Sequence, residues 1–155
     1  KRSKKYSLGN IEPKFLVFEF FQKKKYLKKK NYIVYLQPTS PLRNYNHINK
    51  AIKALIKSKK KSLTSVKKIE SKYLKSVLIK DNKIQTLSQK KYLTYSRQNL
   101  KNIFIPNGAI YIFRISEFLK EKNFPINKSV GFVMDSISSI DVDSLNDLNM
   151  AKKHL

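Results

Sequence analysis

Apolar positions along the chain fall into short runs whose spacing predicts an alternation of helices and strands. In "PKFLVFEFFQKKKYLKKK", Phe15, Leu16, Phe18 and Phe21 recur behind Pro13, which suits a first helical turn. A helix is expected there, with Tyr26 and Leu27 anchoring its end. "YIVYL", Tyr32 to Leu36, is short, β-branched, aromatic and uninterrupted, the pattern of a strand covered on both faces in a parallel sheet. It stops abruptly at "QPTSPLR", and the segment after that turn places Ile48, Ala51, Ile52 and Leu55 on one helical face. Asn44 or Asn46 is the expected N-cap of this second helix.

Farther on, "SLTSVKKI" and "YLKSVLI" read as strands, and "KDNK" followed by "KIQTL" closes a hairpin over Lys72–Leu87. "KNIFIPNGAIYIF" holds two apolar runs broken by Pro106, Asn107 and Gly108. "RISEFLKEK" predicts a short helix with Ile115, Phe118 and Leu119 on one side, and "SVGFVMD" another strand. The last helix starts with Ser144 as N-cap and Asp147 three residues later, a capping-box pattern. No repeat and no Gly/Ser/Pro-rich linker interrupts the chain. One α/β domain over residues 1–155 is expected, with a hairpin region at about 62–105.

Composition narrows the class. Hydrophobic residues make up 41% of the 155 residues, enough for a core, and there is no cysteine for a disulfide, a thiolate or a metal site. No run reaches the ~18 apolar residues of a membrane span. The opening "KRSKKYSLGN" lacks the apolar segment of a signal peptide, so a cytoplasmic location is expected. The net charge of +24 suggests nucleic acid. Against that, the basic residues are lysines apart from Arg2, Arg43, Arg97 and Arg114, and they are scattered. Base and phosphate readers favour the planar fork of arginine, so nucleic acid is not expected as a partner.

Ten acids are few, which gives weight to Asp141 and Asp143 in "SIDVDS". On an extended segment, residues two apart point to the same side and could face one hard cation such as Mg²⁺. Taken alone, the pair reads first as acids at a helix N-terminus, favoured by the dipole. His47 and His154 lack metal-ligand spacing and read as surface residues. Thr39 and Ser40 have no base in view, and "QPTSP" reads equally as a proline-shaped capping turn and as a binding loop.

Taken in order, "YLQPTSPLR", an amphipathic helix, "SRQN", "PNGAIYIF" and "SSIDVDSLNDLNMAKKHL" resemble the acylneuraminate cytidylyltransferases, or CMP-sialic acid synthetases. The resemblance runs from about Asn31 to the end, and "KRSKKYSLGN" loosely resembles an Arg- and Ser-containing segment of that family. It implies a Rossmann-like nucleotidyltransferase fold, here partial, with a mainly parallel sheet and a β-hairpin dimerisation region. It also implies transfer of CMP from CTP to a nine-carbon sugar acid with release of pyrophosphate, assisted by Mg²⁺. Residue by residue, Asp141 and Asp143 match the metal-binding aspartates, and Gln37 matches the glutamine that hydrogen-bonds the sugar. Tyr111 and Phe124 match the aromatic lining of the sugar-acyl pocket. Lys75 and Arg97 match basic residues that reach the site from the partner of a homodimer, a role that suits an arginine fork on a carboxylate.

Two departures qualify the match. Ile105 stands before "PNG" where many family members carry arginine, and the family's Gly- and Lys-rich phosphate loop has no counterpart in these residues. The chain is therefore expected to carry the metal and sugar residues but to be inactive or weak alone. Sialic, legionaminic and pseudaminic acids are all open as the sugar. The competing readings are a basic nucleic-acid-binding module and a non-catalytic dimerisation remnant of the same fold.

Overall fold

The structure is a computed structural model that describes residues 12–24 and 27–155. Along the chain run α1 (Pro13–Lys23), β1 (Tyr32–Tyr35), α2 (Tyr45–Ser58), β2 (Ser62–Ile69), β3 (Val77–Lys80) and β4 (Lys83–Thr86). β5 (Ile103–Arg114), α3 (Ile115–Glu121), β6 (Val130–Met134) and α4 (Leu145–Lys152) follow. One sheet has the order β1-β5-β2-β6, and β3 and β4 form a separate two-stranded sheet. The α/β class holds, and the arrangement is compatible with a partial Rossmann-like nucleotidyltransferase fold. The sheet is mixed and mostly antiparallel, not mainly parallel as expected. β1 runs antiparallel to β5, with Tyr32 opposite Arg114 and Tyr35 opposite Tyr111.

The physical reason lies in β1. Its apolar run suggested cover on both faces, but Ile33 and Tyr35 are half-buried while Tyr32 and Val34 are exposed. That alternation suits an antiparallel strand with one buried face. Ile33 and Tyr35 pack on an aromatic core. Tyr32 and Val34 line an open groove of about 430 Å³ with Ile52, Leu55, Ile56 and Ile112.

By contacts, the chain divides into two compact units. The first comprises the described residues up to Gln37, Asn44–Thr64 and Ile110–Phe132. Its core is Val17, Phe113 and Phe118, with Phe18, Phe21, Ile33, Tyr35, Tyr111 and Phe124 packed on it. The Phe118 ring stacks on Phe113 at 5.3 Å and meets Phe18 at 4.8 Å. α1 ends at Lys23, shorter than expected, and Tyr26 lies outside the described residues. In α3, Ile115 and Phe118 are buried but Leu119 is exposed, which narrows its apolar face. Asn44, not Asn46, caps α2: its side chain accepts from the His47 N–H at 3.2 Å, and His47 Nδ1 accepts the Asn44 N–H at 3.2 Å. His47, half-buried at the start of α2, thus completes a capping box with Asn44.

The second unit comprises Pro38–Arg43, Ser65–Ala109 and Val133–Leu155. Its hairpin pairs Ile79 with Ile84 and Lys80 with Lys83 across Asp81 and Asn82, which take φ of 49° and 56°. Two consecutive left-handed residues match the right-handed strand twist, and Asp and Asn tolerate that region. The expected hairpin is present but shorter, because Ser71–Lys75 closes as a 3₁₀ turn. "IFIPNGAIYIF" is one strand, not two broken runs: Gly108 takes φ 75° and carries the chain through the interruption. The Ser144–Asp147 capping box starts α4 as expected. Among the described residues, no helix is long and apolar enough to cross a membrane.

Candidate functional site

Within the second unit, hydrogen bonds bring together three stretches that are distant in sequence. Arg43, at the end of "QPTSPLR", donates through Nη1 to the Ala109 carbonyl at 2.8 Å. The Val142 N–H, between the two aspartates, donates to the Thr39 carbonyl at 2.8 Å. Asn107 of "PNGA" donates through Nδ2 to Ser139 Oγ at 2.8 Å. The proline turn, the strand interruption and the acidic loop therefore form one cluster. Partial burial strips water from the Arg43 guanidinium and pulls its pKa below the ordinary arginine value.

The acidic loop is held from both ends. Ser138 N–H donates to Asp135 Oδ1 at 2.8 Å, which lowers the Asp135 pKa. At the far end, Ser144 Oγ donates to Asp147 Oδ2 at 2.7 Å and the Ser144 N–H donates to the same oxygen at 2.9 Å. Those bonds, the hydroxyl's first, pull the Asp147 pKa down. Between these ends, Asp141 is half-buried and its Oδ1 is buried with no partner, while Asp143 is exposed. Ser40 Oγ is likewise buried without a partner. A carboxylate oxygen buried without a donor is costly unless a cation or an N–H satisfies it. Asp141, with Asp143 two residues on, would supply carboxylate oxygens to a hard cation such as Mg²⁺, whose remaining ligands would be waters or phosphate oxygens. Among the described residues, no group of three or more His, Cys, Asp or Glu could hold a metal unaided.

In the first unit, Tyr111 and Phe124 come together, with ring centroids 4.9 Å apart. Tyr35, absent from the sequence-derived set, joins them at 6.2 and 5.1 Å. Alternation along β1 was the available signal, since Tyr35 faces Tyr111 in the β1–β5 register. Gln37 is half-buried just past β1.

Arg97 and Lys75 both belong to the second unit. Arg97 is exposed, 3.6 Å from the Glu70 carboxylate, and lines an open cavity of about 730 Å³ with Lys68, Glu70, Tyr73, Gln98 and Asn102. Lys75 ends the neighbouring 3₁₀ turn and is not part of that lining. Ile105 is exposed on β5.

Comparison with known proteins carries the resemblance further. The chain is 35% identical over 118 residues, 75% of its length, to an N-acylneuraminate cytidylyltransferase of Escherichia coli O18:K1:H7. It is 31% identical over 130 residues, 79% of its length, to the protein of that name in Streptococcus agalactiae serotype III. The post-translational flagellin modification protein B of Campylobacter coli is 27% identical over 122 residues, 77% of this chain and 51% of that protein. No family profile matches. The chain spans 28% and 30% of the length of the first two relatives. It is a partial homologue of the N-acylneuraminate cytidylyltransferases, matching a portion of those longer proteins over most of its own length.

Proposed function

We propose that this chain is the metal- and sugar-binding part of a cytidylyltransferase that joins CMP from CTP to a nine-carbon sugar acid of the N-acetylneuraminate class. The observation that carries the reading is the clustering of "QPTSPLR", "PNGA" and "SSIDVDS" through the Arg43–Ala109, Thr39–Val142 and Asn107–Ser139 hydrogen bonds. In the reaction the sugar's anomeric oxygen bonds to the α-phosphorus of CTP, the bond to pyrophosphate breaks, and the hydroxyl proton passes to solvent. Asp141 and Asp143 hold Mg²⁺, which when bound neutralises phosphate charge. Gln37 hydrogen-bonds the sugar, and Tyr111, Phe124 and Tyr35 offer an apolar face to its acyl group. Arg97 and Lys75 serve the partner subunit of a homodimer, where an arginine fork suits the sugar carboxylate. Support for self-association is the β3–β4 hairpin, whose Leu78, Ile79 and Ile84 are 51%, 77% and 71% exposed. The enzyme works in the cytoplasm, where CTP is available, and this chain alone turns over weakly or not at all.

The test is a chimaera in which this chain's matched residues replace those of the Escherichia coli relative. With CTP, Mg²⁺ and N-acetylneuraminate it is expected to release pyrophosphate, and Asp141→Asn or Asp143→Asn to lower the rate about a hundredfold. A folded chimaera with no turnover, or one indifferent to both substitutions, refutes the proposal.

A further inference from the structure

Asn107 sits at the centre of a buried polar network of which the proposed function used only the bond to Ser139, as a sign of clustering. Its residue exposure is 4%, and its partners Ser65 and Ser139 are at 0% and 1%. Ser65 Oγ donates to Asn107 Oδ1 at 2.5 Å, and the Ala109 N–H donates to the same oxygen at 3.3 Å. A backbone N–H can only donate, so the amide is fixed with Oδ1 towards Ala109 and Nδ2 towards Ser139. Buried polar groups contribute little net stability over a well-packed apolar set, yet a fully satisfied network fixes one geometry.

That geometry is transmitted to the acidic loop. Ser138 is tied to Asp135, Ser139 to Asn107, Ile140 N–H to the Ile137 carbonyl at 3.1 Å, and Val142 to Thr39. Asp141 therefore lies between restraints on both flanking residues, with a carboxylate oxygen buried and unpartnered. We infer that Asn107 is a positioning residue: through Ser139 it sets the loop so that Asp141 meets a divalent cation without rearranging. The inference rests on the reading of Asp141 and Asp143 as the cation's holders, and it concerns residues outside that pair.

The test uses the chain itself with Mn²⁺ as probe, comparing Ser139→Ala with Ser65→Ala. Each variant deletes one buried bond to Asn107, but Ser139 alone belongs to the acidic loop. Ser139→Ala is expected to weaken Mn²⁺ binding about tenfold, and Ser65→Ala to leave it within about twofold. In the metal-free chain, the Val142 N–H is expected to exchange with solvent about tenfold faster in Ser139→Ala than in Ser65→Ala. Equal effects of the two variants on Val142 exchange overturn the positioning role, whatever happens to Mn²⁺. Unaltered Mn²⁺ affinity in Ser139→Ala also overturns it, provided Asp141→Asn abolishes binding. If Mn²⁺ binds Asp141→Asn as tightly as the wild type, the cation reading fails. The exchange comparison then still decides whether Asn107 holds the loop.

Discussion

Replacing Phe118 tests the aromatic core that carries Tyr111 and Phe124. Phe118 is fully buried, and its ring lies 4.8 Å from Phe18, 5.3 Å from Phe113, 5.6 Å from Phe21 and 5.8 Å from Phe124. Phe118→Ala removes the buried apolar surface and leaves a cavity between rigid rings that collapse poorly, a change worth about 3–5 kcal/mol. Phe118→Leu keeps most of the volume and loses the ring–ring geometry, for about 1–2 kcal/mol. With total stability of about 5–15 kcal/mol for a domain, the alanine variant loses a large fraction. At a urea slope of about 2 kcal/mol/M, its midpoint should fall by about 2 M. The assay is urea unfolding followed by far-UV circular dichroism on all three proteins. If both variants lose less than about 1 kcal/mol, as surface substitutions do, the packing described around Phe118 is wrong.

Other outcomes follow from the second unit. The Asp147 pKa is lowered first by the Ser144 hydroxyl, so its stabilisation is present above the unfolded-state value near about 4 and is lost as pH falls through the folded value. An acid titration of α4 amide shifts should show this loss in the wild type and not in Asp147→Asn. Asp81→Val forces a β-branched residue into φ 49° and should destabilise the hairpin by about 1–2 kcal/mol. Cross-strand contacts between Ile79 and Ile84 in nuclear Overhauser spectra report it; unchanged contacts and unfolding midpoint would contradict the turn geometry. Ile79→Lys, on the most exposed apolar position of that hairpin, should weaken self-association in sedimentation equilibrium by about tenfold or more. Association at unchanged strength would remove the hairpin from the proposed dimer contact.

Legibility in the sequence tracked how local each determinant is. The α4 capping box depends on residues three apart and could be read directly, whereas the α2 cap was narrowed only to Asn44 or Asn46 until the Asn44–His47 bonds chose the first. The Asp81–Asn82 turn was equally local, because two polar residues tolerant of positive φ separate two β-branched runs. β1 failed on the sheet's direction, since a short apolar run looks alike whether its second face is covered or lines a groove. The Ser71–Lys75 turn was read as strand for a similar reason: Tyr73 and Leu74 carry strand propensity, and the 3₁₀ closure of Ser76 on Tyr73 overrides it.

The candidate site was legible as residue types and not as contacts. "PNG" looked like an interruption because proline and glycine punctuate strands, yet Asn107 is bonded to Ser65, 42 residues away, and to Ser139, 32 residues away. No window of local pattern contains those partners. Arg43 shows the same point from the other side. One nitrogen of its guanidinium is committed to the Ala109 carbonyl, and the group is partly desolvated. Burying that charge is tolerable because the carbonyl returns part of the lost hydration. Arg43 therefore acts first as a tie between the proline turn and β5. The turn that seemed either a helix cap or a binding loop is then neither alone. Its backbone and its arginine hold the acidic loop and the "PNGA" strand in one place, and any ligand meets the surface those ties create.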